Sequence, residues 1–377
     1  MIRCRLCVMP DTRPDTPFVD GICSACIAYA KRPTIDWSAR LAELDLLLER
    51  GRNGSGFDCI VPSSGGKDSH YQVLELGRRG ARPLVVTAST CHLTPIGRAN
   101  IESLKRHATT IEVSPNTTVR AKLNRLGLEL VGDISWPEHV AIFTTPFRVA
   151  ADLGIPLIIY GENPQNQYGG PAGTEEARQL TRRWRSEFGG FLGLRPADMA
   201  PMTSAEAMRD YELPESSKHL KIEEIEAHFL GQYVPWDSHR NARIARAAGF
   251  HEPTYPPSPA NYWPHENLDN AQTGLHDYGM FLKYGYGRGC AQVSVDVRAG
   301  RLSRDEAMRW VVKHDGAFPV SYAGVPLYEV LERIGMTPAQ LQRTLDQFTN
   351  KALFRRVIDD ASAPMMFLGA EGDSQWA

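Results

Sequence analysis

The most constraining feature is a junction. The apolar run FDCIVP at 57–62 passes without a spacer into Ser63, Ser64, Gly65, Gly66, Lys67, Asp68 and Ser69, and a helical pattern begins at about His70. A strand that meets glycines and then a helix is the start of a βα unit. Further short apolar runs stand at 83–88 (PLVVTA), 109–113 (TTIEV) and 155–161 (IPLIIYG), separated by helical spacing at 69–79, 95–107, 116–130 and 138–153. Such alternation predicts the α/β class, a parallel sheet with helices on both faces. Sheets of this kind bind ligands beyond the carboxyl ends of their strands, so chemistry is expected in the loops after 62, 88 and 160.

Gly65 and Gly66 let a ligand approach the backbone closely. The following helix N-terminus offers unpaired N–H groups and the positive end of a dipole. The junction reads as an anion cradle, against the alternative of a glycine-rich turn with an incidental lysine. Its spacing is not the Walker pattern, which puts four residues between the first glycine and the Gly-Lys pair.

Cys4, Cys7, Cys23 and Cys26 form C-x2-C-x15-C-x2-C, the spacing of two knuckles that supply four thiolates to one tetrahedral zinc. Four thiolates leave no open position, so the expected role is structural. An iron-sulfur cluster is the rival occupant of the same ligands. Residues 1–35 show little apolar periodicity and need such a staple to fold. Residues 36–56 read as a linking helix capped by Asp36, with Trp37, Leu41, Leu44 and Leu48 on one face and GRNGSG ending it. Residues 57–200 carry the α/β pattern. From 201 to 360 helical patterns dominate around a Pro- and aromatic-rich stretch at 253–264, a substrate or partner region, and 361–377 reads as a tail.

Forty-two Lys and Arg against 44 Asp and Glu give a net charge of -2, which argues against a nucleic-acid partner. The opening MIRCRLCVMP lacks the apolar core of a signal peptide, and no run approaches the roughly 18 apolar residues of a membrane span. A cytoplasmic protein without a membrane partner is the expectation.

The segment SGGKDS at 64–69 resembles the motif of the PP-loop ATP pyrophosphatases, which cleave ATP between the alpha and beta phosphates. The resemblance implies that Ser64, Gly65, Gly66 and Ser69 hold the pyrophosphate, that Lys67 balances its charge and that Asp68 assists Mg2+ or loop geometry. It also places the base and ribose against the end of the second strand, Val86, Thr87, Ala88 and Ser89, largely through backbone groups.

With the cysteine module, the chain is similar nearly end to end to the N-acetyl sugar amidotransferases, which make acetamidino sugars for bacterial surface polysaccharides. The pieces that carry this are CRLCVMPDTRPDTPF with CSAC, SGGKDS, WPEH at 136–139, GENPQNQYGG at 161–170, YVPWDS at 233–238, ENLD at 266–269 and LHDYGMFLKYGYGR at 275–288. The resemblance implies an ATP-dependent amidotransferase. It adenylates an acetamido oxygen, of an N-acetyl sugar nucleotide or related small molecule, and replaces it with ammonia to give an amidine, AMP and pyrophosphate. The implied cofactors are ATP, Mg2+ and structural zinc. The ammonia would come from a separate glutaminase, a partner resembling the subunits of imidazole glycerol phosphate synthase.

Within GENPQNQYGG, Glu162 is the catalytic candidate and Gly161 a nucleotide contact, with Asn163, Tyr168 and Gly169 as substrate contacts; an ordinary glycine turn is the alternative. Relatives commonly carry an acidic residue where this chain has Gln167. After Gly287 and Arg288 they continue Ala-Thr-Asp, whereas this chain reads Gly289, Cys290, Ala291. Arg288 and Cys290 are further substrate candidates, and Cys290 is either a reactive thiol or inert. His139 and His276 are candidate acids or bases, or structural hydrogen-bonding groups. Trp236 and Asp237 read as interface or substrate-domain packing, with a functional role as the alternative. Two competing functions are a sulfurtransferase of the same superfamily, acting on tRNA or a small molecule, and a non-catalytic ATP-binding scaffold.

Overall fold

Five strands form one parallel sheet: β1 (Cys59–Pro62), β2 (Pro83–Ala88), β3 (Thr109–Val113), β4 (Leu157–Tyr160) and β5 (Glu226–Phe229). Their order is β3-β2-β1-β4-β5, and every neighbouring pair is parallel. The chain builds outward from β1 to one edge and then crosses to its other side, so a crevice opens at the carboxyl ends of β1 and β4. The computed structural model describes residues 1–14, 16–52, 54–171, 173–214, 217–356 and 365–367.

Period-two alternation sorts the central strands onto two cores. Cys59, Val61, Val85, Leu157 and Ile159 face a layer that includes Leu44, Leu48, Tyr71 and Leu76. Ile60, Leu84, Val86, Ile158 and Tyr160 face Phe147, Ala150, Ala151 and Trp184. Burial on both faces is why β1 and β4 read as unbroken apolar runs.

The crossover helices are α1 (Lys67–Arg78), α2 (Pro95–Leu104), α3 (Thr117–Val131) and α4 (Trp136–Leu153). Thr94 caps α2 by accepting from Gly97 N at 3.0 Å, with Pro95 in the first turn, and Asn116 caps α3. The linking helix runs Trp37–Gly51, and Asp36 accepts from Ala39 N at 3.0 Å. α1 starts three residues before the sequence pattern suggests, because Gly66 is its N-cap and the loop feeds directly into it.

The sheet takes its fifth strand from beyond residue 200, where the sequence pattern points to helices. β5 is the four-residue edge EAHF, whose buried His228 bonds Tyr233 Oη at 2.8 Å and breaks the apolar signal. Downstream lie α5 (Pro164–Tyr168) after β4, α6 (Ser238–Ala247), α7 (Thr273–Tyr284), α8 (Arg288–Arg298) and α9 (Arg304–His314). The part of the expected tail that is described, Met365–Phe367, is a strand antiparallel to Phe354–Arg356; the remainder of 361–377 lies outside the described residues.

The N-terminal cysteine segment packs its own few apolar residues against α8 and α9, with Val8, Met9 and Ala25 meeting Val293, Ala307 and Val311. Within it Phe18–Val19 pairs Ile22–Cys23 across a two-residue turn. Asp20 and Gly21 have φ of 48° and 72°, the paired positive values of a type I′ turn, for which Asp-Gly is a preferred sequence. The turn brings Cys23 back toward Cys4. Among the described residues no helix is long and apolar enough to cross a membrane.

Candidate functional site

The loop between β1 and α1 turns on Gly65. Its φ is +79°, and a Cβ there would sit 2.8 Å from Ile101 Cγ1 and 2.9 Å from Ile101 N, so only glycine fits. Gly66, as N-cap, has no side chain to satisfy the first N–H groups of α1. Those donors stay open at the positive end of the helix, beside the crevice.

Lys67, 3% exposed, sets its Nζ 2.6 Å from Asp68 Oδ2 and 3.9 Å from Glu266 Oε1. Burial opposes its charge, but Asp68 and Glu266 outweigh that and push its pKa up to about 12. Asp68 is oriented by Asn241 of α6, whose Nδ2 donates to Oδ1 at 3.0 Å. Glu162, just after β4, completes the group: burial, then the charge of Asp68, raise its carboxyl to about 7, with Lys67 pulling the other way. Glu266 accepts from Gln292 Nε2 at 2.6 Å and from Tyr168 Oη at 3.4 Å. Burial would raise it, yet Lys67 and Arg288 hold it below the ordinary value.

These groups border a cavity of about 580 Å³. Of the residues singled out from sequence, Ser64, Gly65, Gly66, Lys67, Asp68, Ser69, Glu162, Tyr168 and Arg288 line it together. Arg288 forks onto Asp277, with Nη2 and Nε at 3.0 and 3.2 Å from Oδ1.

Others sit elsewhere. Thr87, Ala88, Ser89 and Gly161 are at the same sheet edge without lining the cavity; Ser89 accepts from Arg120 Nη1 through its carbonyl at 2.6 Å. Asn163 is a clasp: it caps α5 through Gln165 N at 3.0 Å and donates to Thr174 O at 2.8 Å. Gly169, at φ +89°, packs on the cysteine segment, where a Cβ would meet Ser24 Oγ at 2.9 Å. Cys290 faces away from the cavity, donating to Val8 O at 3.5 Å, and burial pushes its thiol up to about 12. Gly289 is pressed against Trp310, and of the three departures after Arg288 only Ala291 borders the cavity. Trp236 stacks edge-on with Tyr71, and Asp237 caps α6, both packing roles.

Sequence reasoning passed over Glu266 as an individual residue, and Asp133 entirely. His139, at the start of α4, and His276, at the start of α7, meet over Asp133: His276 Nδ1 lies 2.8 Å from Oδ1 and His139 Nδ1 3.4 Å from Oδ2. All three line the same cavity. Burial would raise Asp133, but His276 and then His139 hold it well below the carboxylate range. No local pattern announces this cluster, since His276 comes from a segment more than a hundred residues beyond the DISWPEH stretch that holds Asp133 and His139.

The four N-terminal cysteines bring their sulfurs within 4.8 Å of one another, with Cys7–Cys23 at 3.6 Å and Cys4–Cys26 at 3.8 Å. Tetrahedral Zn–S bonds imply sulfur separations of about 3.8 Å, so the buried set fits a single ion. Cys23 N donates to Cys4 Sγ at 3.3 Å, and Arg298 Nη1 stands 3.8 Å from Cys7 Sγ. Arg298 also donates to Gln167 O at 2.5 Å, Ser24 Oγ accepts from Gly170 N at 3.3 Å, and Arg13 reaches Tyr168 O at 3.3 Å. The cysteine segment thereby fixes the back of the 164–170 stretch, whose Tyr168 lines the cavity.

A family model described as the C-terminal domain of WbpG-like LPS biosynthesis proteins matches residues 254–363. The matched segment supplies Glu266, His276 and Arg288 to the cavity. No curated protein matches the chain.

Proposed function

We propose that this protein is an ATP pyrophosphatase of the PP-loop type that converts an acetamido group of a sugar nucleotide into an amidine during lipopolysaccharide or surface-polysaccharide biosynthesis. The observation that carries the reading is the Ser64–Ser69 loop. It presents open helix N–H groups and a buried lysine at the switch point of a 3-2-1-4-5 parallel sheet, facing a cavity closed by the segment matched to WbpG-like proteins.

In this reading ATP lays its beta and gamma phosphates on the loop, where Lys67 and the N–H groups of α1 offset their charge. Asp68 and Glu266 are the carboxylates that would hold Mg2+, which supplies charge neutralisation on the departing pyrophosphate. The acetamido oxygen attacks the alpha phosphorus, an O–P bond forms and the bond to pyrophosphate breaks. Ammonia then adds to the activated carbon, the C–O bond breaks with its oxygen leaving on AMP, and one proton is released. Glu162, raised to about 7, is matched to accept that proton near neutrality. Zinc on the four cysteines has a structural role, and a separate glutaminase supplies the ammonia.

The sulfur-transfer reading gains nothing from the geometry: Cys59, Cys91 and Cys290 are all buried and none lines the cavity. The test is mass spectrometry of N-acetyl sugar nucleotides incubated with protein, ATP, Mg2+ and ammonium or sulfide. Oxygen-to-nitrogen exchange with one AMP per product supports the reading; exchange with sulfide alone, or no modified sugar, overturns it.

A further inference from the structure

The wall of the cavity contributed by α4 and α7 carries a second constellation that the adenylation reading leaves unused. Asp133 follows the left-handed Gly132 that ends α3, and Ser135 N fixes its Oδ1 at 2.8 Å. His139 and His276 approach the same carboxylate from the first turns of their helices, with ring centroids 5.1 Å apart in a T-shaped arrangement. One ligand atom from each residue lies within 4.8 Å of the other two.

We propose that Asp133, His139 and His276 form a binding site for a divalent transition-metal ion, distinct from the four-thiolate site. Two imidazoles and one carboxylate, from the 133–139 stretch that enters α4 and from α7, make the donor set of an open zinc or iron(II) site. Metal–nitrogen bonds of about 2.0–2.1 Å in a tetrahedron set ligand separations of about 3.3–3.4 Å; the three donor atoms lie within 4.8 Å of one another, and sharing an ion requires the 2.8 Å His276–Asp133 contact to open and the carboxylate to turn one oxygen to both imidazoles. His139 Nδ1 is buried and faces Asp133 Oδ2 at 3.4 Å outside hydrogen-bond geometry, so among the described residues it makes no hydrogen bond that an ion would have to break. The nearby cations are already engaged: Lys283 Nζ bonds Val131 O at 2.6 Å and Arg288 is forked onto Asp277, so the two imidazoles are what faces Asp133, and an ion would bind in place of their protons. Nitrogen ligands select zinc, iron(II) or cobalt(II) over Mg2+. Three protein ligands leave a position open toward the cavity for water or an oxygen or nitrogen donor of a bound molecule.

The site is read by metal content and is independent of ATP turnover. Purified full-length protein is stripped of loosely held metal and titrated with Co2+, following thiolate charge-transfer bands for the cysteine site and weaker d–d bands for a nitrogen and oxygen site. Two equivalents are expected. His276→Ala should lower affinity for the second by more than the roughly 10–100-fold that losing an outer-shell partner costs, with the thiolate bands unchanged. His139→Gln, at a part-exposed position, provides the same readout should the α7 variant fold poorly. One equivalent only, carried by thiolates, or a second equivalent that survives both variants, overturns the proposal.

Discussion

The Lys67 ammonium, in the first turn of α1, stands 3.9 Å from Glu266 Oε1, a carboxylate from the last third of the chain. This contact ties the Ser64–Ser69 loop to the segment matched to WbpG-like proteins, and both border the cavity. Replacing Glu266 with Gln keeps the shape and an acceptor for Gln292 but removes one charge facing Lys67. AMP formation should fall by more than the roughly 10–100-fold that losing an outer-shell partner of a metal costs, with little change in melting temperature. An unchanged rate would separate Glu266 from the loop's chemistry.

Glu162 gives a pH-dependent signature. Its pKa rises from an ordinary 4.5 to about 7 on folding, so between those values the folded chain binds more protons than the unfolded one, and stability falls as pH rises. The cost is absent below about 4.5 and complete above about 7, on the order of 3 kcal/mol as an upper bound. Glu162→Gln should melt higher than the parent at pH 8, equal it at pH 4, and lose activity at both. A difference in melting temperature that is the same at all pH values would contradict this.

Removing the cysteine-bound metal should do more than lower stability. Arg298, Ser24 and Arg13 brace residues 164–170 from behind, so Cys23→Ser is expected to melt several degrees lower and to speed hydrogen exchange in that stretch while β1 and β2 stay protected. Native melting and exchange in the metal-free variant would deny the cysteines a structural role.

Cys290 lies outside the cavity, and its thiol is held neutral by burial. Cys290→Ala should keep AMP formation within about twofold and cost about 1 kcal/mol of stability, typical of one core atom group removed. In the native protein iodoacetamide should leave Cys290 unmodified. Loss of activity at unchanged stability would reinstate it as a working thiol.

What could be read ahead of the structure was whatever a local pattern encodes. β1 to β4 announce themselves by apolar runs, the loop by its glycines and lysine, and the buried four-cysteine cluster by its spacing. β5 is hidden because EAHF is short and its His228 is satisfied by a tyrosine rather than by apolar contact. Asp133 and Glu266 were passed over because one decisive partner of each, His276 and Lys67, is more than a hundred residues away in sequence. Cys290 and Asn163 are the opposite case: residues in suggestive motifs whose side chains turn out to serve packing and capping.

On the proposed function, the Ser64–Ser69 loop directs ATP cleavage between the alpha and beta phosphates. The most direct measurement is chromatography of the products from ATP labelled separately at the alpha and gamma positions, with Mg2+, ammonium and an N-acetyl sugar nucleotide, for the parent and Lys67→Ala. AMP and pyrophosphate in equal amounts from the parent, reduced roughly 100-fold or more in the variant, is the predicted result. ADP and phosphate, or AMP formation that survives loss of Lys67, would contradict it.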